Sequence, residues 1–424
     1  MTAVDRERGG ETWQSTSVDV AAIEAALAQL WTQAGHRPEG GRRRPPIRSS
    51  VMNLLVYVPR AEDAALVMEA IAALTERHPS RTIYVVADPN APTSSLDASV
   101  TTHCSAADSG RLCWEQIHIT AHGATAAHVP GVVIPLVRPD LPTYLWWMGD
   151  TPYEAELFRH MVDLCDRLIV DSGFFARPVE GLAQLAAHQQ RTAGDRGVGD
   201  VHWMRLTPWR NLAAQFFDGA ELRPYASCID SVRLGYTHDE QTHGGLGQAL
   251  LLAGWLTSCL GWSPRPRAAW RHGDTVHLEA ERPAEGNSGT VAIDIRRQAT
   301  DQATGDRQQA TEDHLLSPAA YRLAPSADMD GLVALRLTAT LQGVPGVFAM
   351  ERRPQSSEAT TTTMIGSVQG AARMVRMAPR SLAELLCAEL EMWRRDRLYE
   401  AALAAAAALT ESLVMEQEWS RTLG

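Results

Sequence analysis

At 424 residues, 45% of them hydrophobic, the chain is long enough to bury two ordinary cores, and length alone implies two or three domains. Charged residues make up 21%, which excludes wholesale disorder. The formal net charge of −11 excludes nucleic acid and anionic membrane as partners of the chain as a whole, because both demand a positive footprint.

Met1 to Gly10 is polar and charged, with no apolar segment behind it to act as a secretory signal. Residues 17–34 then read as a helix, with Ile23, Leu27, Leu30 and Trp31 at helical spacing, Ser17 or Asp19 as its cap and Gly35 at its end. Residues 38–46, rich in proline, glycine and arginine, read as a linker. Residues 53–58 form a nearly continuous apolar run, the mark of a strand buried on both faces. Residues 61–77 carry Val67, Ala70, Ile71 and Leu74 on one helical stripe, and residues 82–87 read as a second buried strand. Strand, helix and strand at this spacing make a βαβ crossover, so the two strands are expected to be parallel. Residues 113–120 alternate and read as an edge-like or antiparallel strand. Residues 132–137 and 168–170 are further apolar segments, with a helix over about 153–163 between them.

Residues 194–200 read as a break between domains. Beyond it, Thr207 and Pro208 open a helix whose apolar face includes Trp209 and Phe216. Residues 229–236 read as a strand, 247–260 as a largely buried helix, and 276–278, 291–295 and 332–340 as further strands. Residues 299–313 read as an exposed loop, and one last long helix opens at Ser381 with Glu384 completing a capping box. The expected class is therefore α/β. An N-terminal helix and linker (1–47) precede a mixed α/β domain with a βαβ crossover (48–190) and an α+β domain (200–424) that ends in a long helix. The most apolar stretch, residues 249–262, is too short to cross a bilayer, and a cytoplasmic location is expected.

Catalytic and cofactor patterns are missing from the sequence. A pyrophosphate at the first strand-to-helix turn needs glycines and an electropositive helix start. That turn is Pro59, Arg60, Ala61, Glu62 and Asp63, with no glycine and two carboxylates. The cluster Gly244, Gly245 and Gly247 lacks the third glycine of the dinucleotide fingerprint and reads as a flexible helix entry or an anion site. None of the 14 histidines falls in a metal-binding pattern. Asp171 and Ser172 follow an apolar strand and either cap the next turn or line a crevice at its carboxyl end. No cofactor is expected.

Tryptophan is over-represented, with 12 against 8 tyrosines and 6 phenylalanines. The densest patch runs from Pro135 to Asp150, where prolines at 135, 139 and 142 stiffen an extended path and are expected to forbid a helix. Alternation over 143–148 sends Tyr144 and Trp146 to one face and Leu145 and Trp147 to the other. Either one pair meets a partner, since aromatic and arginine anchors dominate interfaces, or both tryptophans belong to the core.

Six segments in order resemble the glucose-6-phosphate dehydrogenase assembly protein family, OpcA: residues 50–57, 77–81, 113–117, 135–150, 166–172 and 205–210. The likeness covers about residues 48–265 and is weaker beyond. It implies a bacterial protein, typically cyanobacterial or actinobacterial, that binds glucose-6-phosphate dehydrogenase and promotes its active form as an allosteric activator in the oxidative pentose phosphate pathway. No catalytic residue comes with it. Tyr144, Trp146, Trp147, Trp209 and Arg210, all in the matching segments, are then the candidate partner contacts. Redox control through thioredoxin is also implied, and Cys104 and Cys113, the nearest cysteines in sequence, flank a turn-like segment. If the strands on either side pair, the sulfurs come within bridging distance; otherwise the six cysteines are unpaired thiols. Two other classes remain open: an enzyme acting on a phosphorylated sugar beside Asp171 and Ser172, and a scaffold joining several pathway enzymes.

Overall fold

The structure, a computed structural model, describes residues 11–16, 20–36, 46–107, 110–192, 196–237, 244–265, 267–283, 289–298, 331–353, 356–392 and 395–415. The chain divides into two compact units, and neither is one continuous stretch. The first comprises 1–170, 194–199 and 382–394; the second comprises 171–193, 200–381 and 395–424.

The first unit is built on a sheet of β1 (Glu11–Thr16), β2 (Pro46–Arg48), β3 (Met52–Val58), β4 (Ser80–Asp88), β5 (Ser95–Ala107), β6 (Gly110–His122), β7 (Thr143–Trp147), β8 (Arg167–Val170) and β9 (Gly197–Asp200). Its order is β1-β5-β6-β4-β3-β7-β8-β9, with β2 beside β6. Every residue of β3 and all but the last of β4 are buried, as unbroken apolar runs require. These two strands pair in parallel, Leu55 opposite Ile83, and the connection carries α2 (Ala64–Arg77). The crossover expected from the sequence is present. The helices α1 (Val20–His36), α3 (Val129–Leu136) and α4 (Glu156–Asp163) belong to the same unit.

Three expectations need correction. The segment 113–120, read as edge-like or antiparallel, does pair antiparallel with β5 but is not an edge, because β4 lies parallel on its other side. Its polar positions face covered neighbours, and Glu115 is fully buried between Arg81, Arg48 and Trp31. The apolar segment over 132–137 is mostly the helix α3, with Pro130 in its first turn and Pro135 near its end; a proline in the first turn gives up no intrahelical bond. The helix expected to run on from Ser381 is two helices, Leu382–Leu390 and Arg397–Leu409. The cap residues suggested for α1, the linker arginines and the loop over 299–313 lie outside the described residues.

The second unit has α5 (Pro178–Arg191), α6 (Val201–Arg205), α7 (Thr207–Gln215), α8 (Arg223–Ala226) and α9 (Gly244–Cys259). Its sheet contains β10 (Ile229–Thr237), β11 (Ser263–Pro264), β12 (Trp270–His272), β13 (Thr275–Glu281), β14 (Thr290–Gln298), β15 (Leu332–Leu341), β16 (Val344–Arg352), β17 (Glu358–Ile365), β18 (Val368–Gln369) and β19 (Arg373–Arg376). The order is β11-β13-β14-β10-β15-β16-β17-β18, with β12 beside β13 and β19 beside β17. Burial alternates along β13, β14 and β15, so one face carries Val276, Leu278, Ile293, Leu335 and Leu337 into the core. Of the two final helices, α10 (Leu382–Leu390) belongs to the first unit and α11 (Arg397–Leu409) to the second. No described helix is long and apolar enough to cross a membrane.

Candidate functional site

Open α/β sheets bind ligands where the strand order reverses, outside the carboxyl ends of the strands. In the first unit that point lies between β3 and β7, parallel neighbours with Tyr57 opposite Trp147. The two rings stack at 3.7 Å with an interplanar angle of 8°. Trp147 meets Phe158 edge-on and donates its indole N–H to the Asp150 carbonyl at 2.9 Å. The β3–α2 turn is tied as well, because Arg60 pairs with the buried Asp63 at 2.9 Å. A glycine-lined phosphate cradle has no counterpart in this turn.

The aromatic segment is β7 itself, an interior strand paired with β3 and β8. Both of its faces are covered, and of the two readings open from the sequence the burial matches the one in which both tryptophans belong to the core. Leu145, Trp146 and Trp147 are all buried, and Tyr144 is half-buried. Asn53 holds the path into this strand: its amide donates to the Arg138 and Leu141 carbonyls, and its side-chain oxygen accepts from the Arg138 N–H. In the second unit Trp209 is fully buried, while Arg210 lays its guanidinium 3.5 Å from the centre of the Trp203 ring. Three of the five proposed contacts are therefore core residues, and only Tyr144 and Arg210 have surface to offer.

The densest buried chemistry lies where the chain leaves β8. Asp171 caps a short 3₁₀ turn, accepting from the Gly173 N–H, and takes two hydrogen bonds from Arg205 at 2.7 and 2.8 Å. Asp200 accepts from the Ser172 hydroxyl at 2.6 Å, the Ser172 N–H at 3.0 Å, the His202 N–H at 2.9 Å and the Tyr399 hydroxyl at 3.3 Å. Burial opposes ionisation of Asp171, but the Arg205 guanidinium and His202 outweigh it and hold that carboxyl below its ordinary range. Asp200 goes the other way. Burial and the neighbouring Asp171 charge push it up to about 7, against the hydrogen bonds from Ser172 and His202. Two carboxyls driven apart resemble an acid–base pair. Yet Asp171, Ser172, Asp200 and His202 are each at most 1% exposed, and each is engaged by the others. A substrate has nothing to approach, and the cluster reads as the polar core of its unit.

In the first unit Cys104 and Cys113 sit directly opposite each other across the β5–β6 hairpin, with Cα atoms 4.1 Å apart, and form a disulfide. Cys113 is buried and Cys104 half-buried. The buried Cys165 thiol is pushed up to about 12 by desolvation, which leaves it inert.

Both halves of the chain match family models. Residues 71–187 match the glucose-6-phosphate dehydrogenase subunit N-terminal domain, and residues 196–403 match the C-terminal domain of the same subunit. The chain belongs to the OpcA family. Relatives whose names carry OpcA and the OxPP cycle include one from Synechocystis sp., 34% identical over 36% of this chain and 30% of that protein. Another, from Synechococcus elongatus, is 27% identical over 74% of this chain and 64% of its own length. The chain thus spans less than two thirds of each. Among solved structures, the oxidoreductase YvaA of Bacillus subtilis is similar at 8% identity and a TM-score of 0.42, over 87% of this chain and 98% of that one. An aldose-aldose oxidoreductase of Caulobacter crescentus is similar at 10% identity and a TM-score of 0.44, with the same coverage.

For this OpcA-family chain, residue-by-residue reading missed Asp200, His202, Arg205 and Tyr399 as one group. They are far apart in sequence, and Tyr399 reaches Asp200 from 199 positions away. The one local signal was Asp200 itself, which caps α6 by accepting from the His202 N–H.

Proposed function

We propose that this protein is a non-catalytic binding protein of the cytoplasm that assembles or allosterically activates glucose-6-phosphate dehydrogenase in the oxidative pentose phosphate pathway. The observation that carries this reading is the pair of family matches, which together reach from residue 71 to residue 403. The sealed Asp171–Asp200 cluster supports it, because the group best suited to acid–base work has no access to a substrate. The mechanism is linkage: a partner that prefers the active conformation of the dehydrogenase shifts its population. A tenfold gain in substrate affinity needs only about 1.4 kcal/mol of differential binding. Tyr144 and Arg210 are the proposed contacts that keep exposed surface.

The decisive experiment adds purified protein to glucose-6-phosphate dehydrogenase from the same source. Activity is expected to rise saturably, the two proteins to co-elute, and the isolated chain to turn over no glucose 6-phosphate. Unchanged dehydrogenase kinetics at saturation would defeat the reading.

The Cys104–Cys113 disulfide is the proposed redox element, with thioredoxin or another dithiol as the reductant. The dithiol would give up two electrons and two protons, leaving two thiols on β5 and β6 and a disulfide on itself. Cys104→Ser is expected to abolish any dependence of activation on reductant. A response equal to the parent's would discard this pair.

A further inference from the structure

The strand β2 is three residues long, and its pairing is confined to one end of β6. Pro46, Ile47 and Arg48 lie opposite Arg111, Leu112 and Cys113, and the Ser49 N–H donates to the Cys113 carbonyl at 3.1 Å. From Glu115 onward that flank of β6 is taken by β4. The outer end of the β5–β6 hairpin is therefore the template on which β2 forms, and so short a strand has little stability of its own. The Cys104–Cys113 bond marks the boundary of that outer end. Inboard of it the hairpin carries Val100, Ile117 and Ile119 in the core. Outboard of it Ser105, Ala106 and Ala107 pair with Leu112, Arg111 and Gly110, a set in which alanine and glycine are poor strand formers.

A charge cluster adjoins the same boundary. Glu115 is two residues from Cys113, so the two side chains leave β6 on the same face. Fully buried, Glu115 accepts the Trp31 indole N–H at 2.8 Å and pairs with Arg48 and Arg81, each at 3.4 Å. Arg48 of β2 also lays its guanidinium 4.5 Å from the centre of the Trp31 ring on α1. The two arginines are not equivalent. The Arg81 side chain is 7% exposed and also bonds Glu24 of α1 at 2.7 Å, whereas that of Arg48 is 42% exposed. Without Arg48 the buried carboxylate keeps Arg81 and Trp31, so β2 can leave without stranding a charge in the core. The helix α1 stays in place as well, held by the buried Ile23, Leu27 and Leu30.

We infer that the Cys104–Cys113 disulfide is a latch on β2: its reduction frees β2 and the outer end of the hairpin together, withdraws Arg48 from Glu115 and Trp31, and leaves the sheet from β4 to β8 intact. The bond closes a short loop, its cysteines nine positions apart, and cutting it restores the freedom of that loop. The inference deepens the redox element proposed above and rests on that reading for its reductant. A dithiol gives up two electrons and two protons, becomes a disulfide itself, and leaves thiols at Cys104 and Cys113.

The test is hydrogen exchange of the purified chain, first oxidised and then reduced with dithiothreitol, read by mass spectrometry. Amides of 47–49 and 105–113 are expected to exchange at least about tenfold faster after reduction, and those of β3 and β4 at an unchanged rate. The double variant Cys104→Ser with Cys113→Ser is expected to show the fast pattern without reductant and no response to it. Unchanged exchange at 47–49 on reduction would overturn the latch. So would equal acceleration throughout β3 and β4, the sign of a general loss of stability. Should the double variant fail to fold, the reduced parent alone decides. Dehydrogenase activation that ignores reductant while 47–49 responds would defeat the redox control of activation and leave the latch standing. All six cysteines titrating as free thiols before any reductant is added would take both down.

Discussion

Asp200 is the residue whose environment makes the sharpest claim about solution behaviour. An ordinary aspartate titrates near 3.9, whereas Asp200 is pushed up to about 7 by burial and by Asp171. Between those values the native protein holds a proton that the unfolded chain has released. The contribution of this group to stability therefore falls as pH rises from about 4 to about 7, and is level outside that window. Asp171, held low by Arg205, acts in the opposite sense and loses its contribution as pH falls through its native pKa. Asp200→Asn keeps the acceptor for Ser172 and removes the titration. In urea unfolding, the stability of the variant relative to the parent is expected to improve steadily from about pH 5 to about pH 7. A difference that does not vary with pH would show that Asp200 does not titrate there. Asp171 and Ser172 were visible in the sequence as a capping pair, and Asp171 does cap its turn. Their partners were not, because a bidentate arginine or a buried tyrosine hydroxyl leaves no local pattern to read.

At the scale of elements, the helices α9 and α11 show what a run of alanines is for. A methyl group at Gly254 would run into the Ala402 carbonyl and the backbone and side chain of Ala406. The two helices thus approach closely through small residues on both sides. Gly254→Val is expected to cost about 2 kcal/mol or more, since a branched side chain must force the pair apart; chemical denaturation measures it, and a loss under about 0.5 kcal/mol would rule out this packing. The alanine stretch was plain in the sequence, but periodicity cannot name the helix that faces it. Elements with strong patterns were legible. The double-buried β3 and β4 and the stripe on α2 formed as read, and β13 to β15 cover the segments read as strands. The failures share a cause. The segment β5 is rich in threonine, serine and alanine and has no apolar signature, so its partner β6 looked like an edge. In α3, a short apolar run carried no length to separate helix from buried strand.

For the whole molecule, the governing feature is that the chain returns to its first unit after leaving it. In that unit Arg167 and Glu389, 6% and 1% exposed, pair at 2.8 Å. Beside them Gly197 and Gly199 of β9 leave the room that a side chain would take from this pair. Removing one partner leaves a buried charge, so Glu389→Gln is expected to destabilise by about 3–5 kcal/mol, while Arg167→Met combined with Glu389→Leu recovers most of the loss. Equal stability of the single variant and the parent in urea would show that the pair is not buried in solution. Sequence alone places one break near residue 194 and assigns the remainder of the chain to a second domain. The short return of residues 194–199 and the later return of 382–394 have no signature in composition, because a strand as short as Gly197–Asp200 looks like any connector.

That late return sets a timetable for biosynthesis. Arg167 leaves the ribosome 222 residues before Glu389, a wait of about 10 to 45 seconds at elongation rates of ~5–20 residues per second. Throughout that interval the nascent first unit lacks residues 382–394, and Arg167 lacks the Glu389 carboxylate. A cell making this protein must shelter an unfinished domain until translation is almost over.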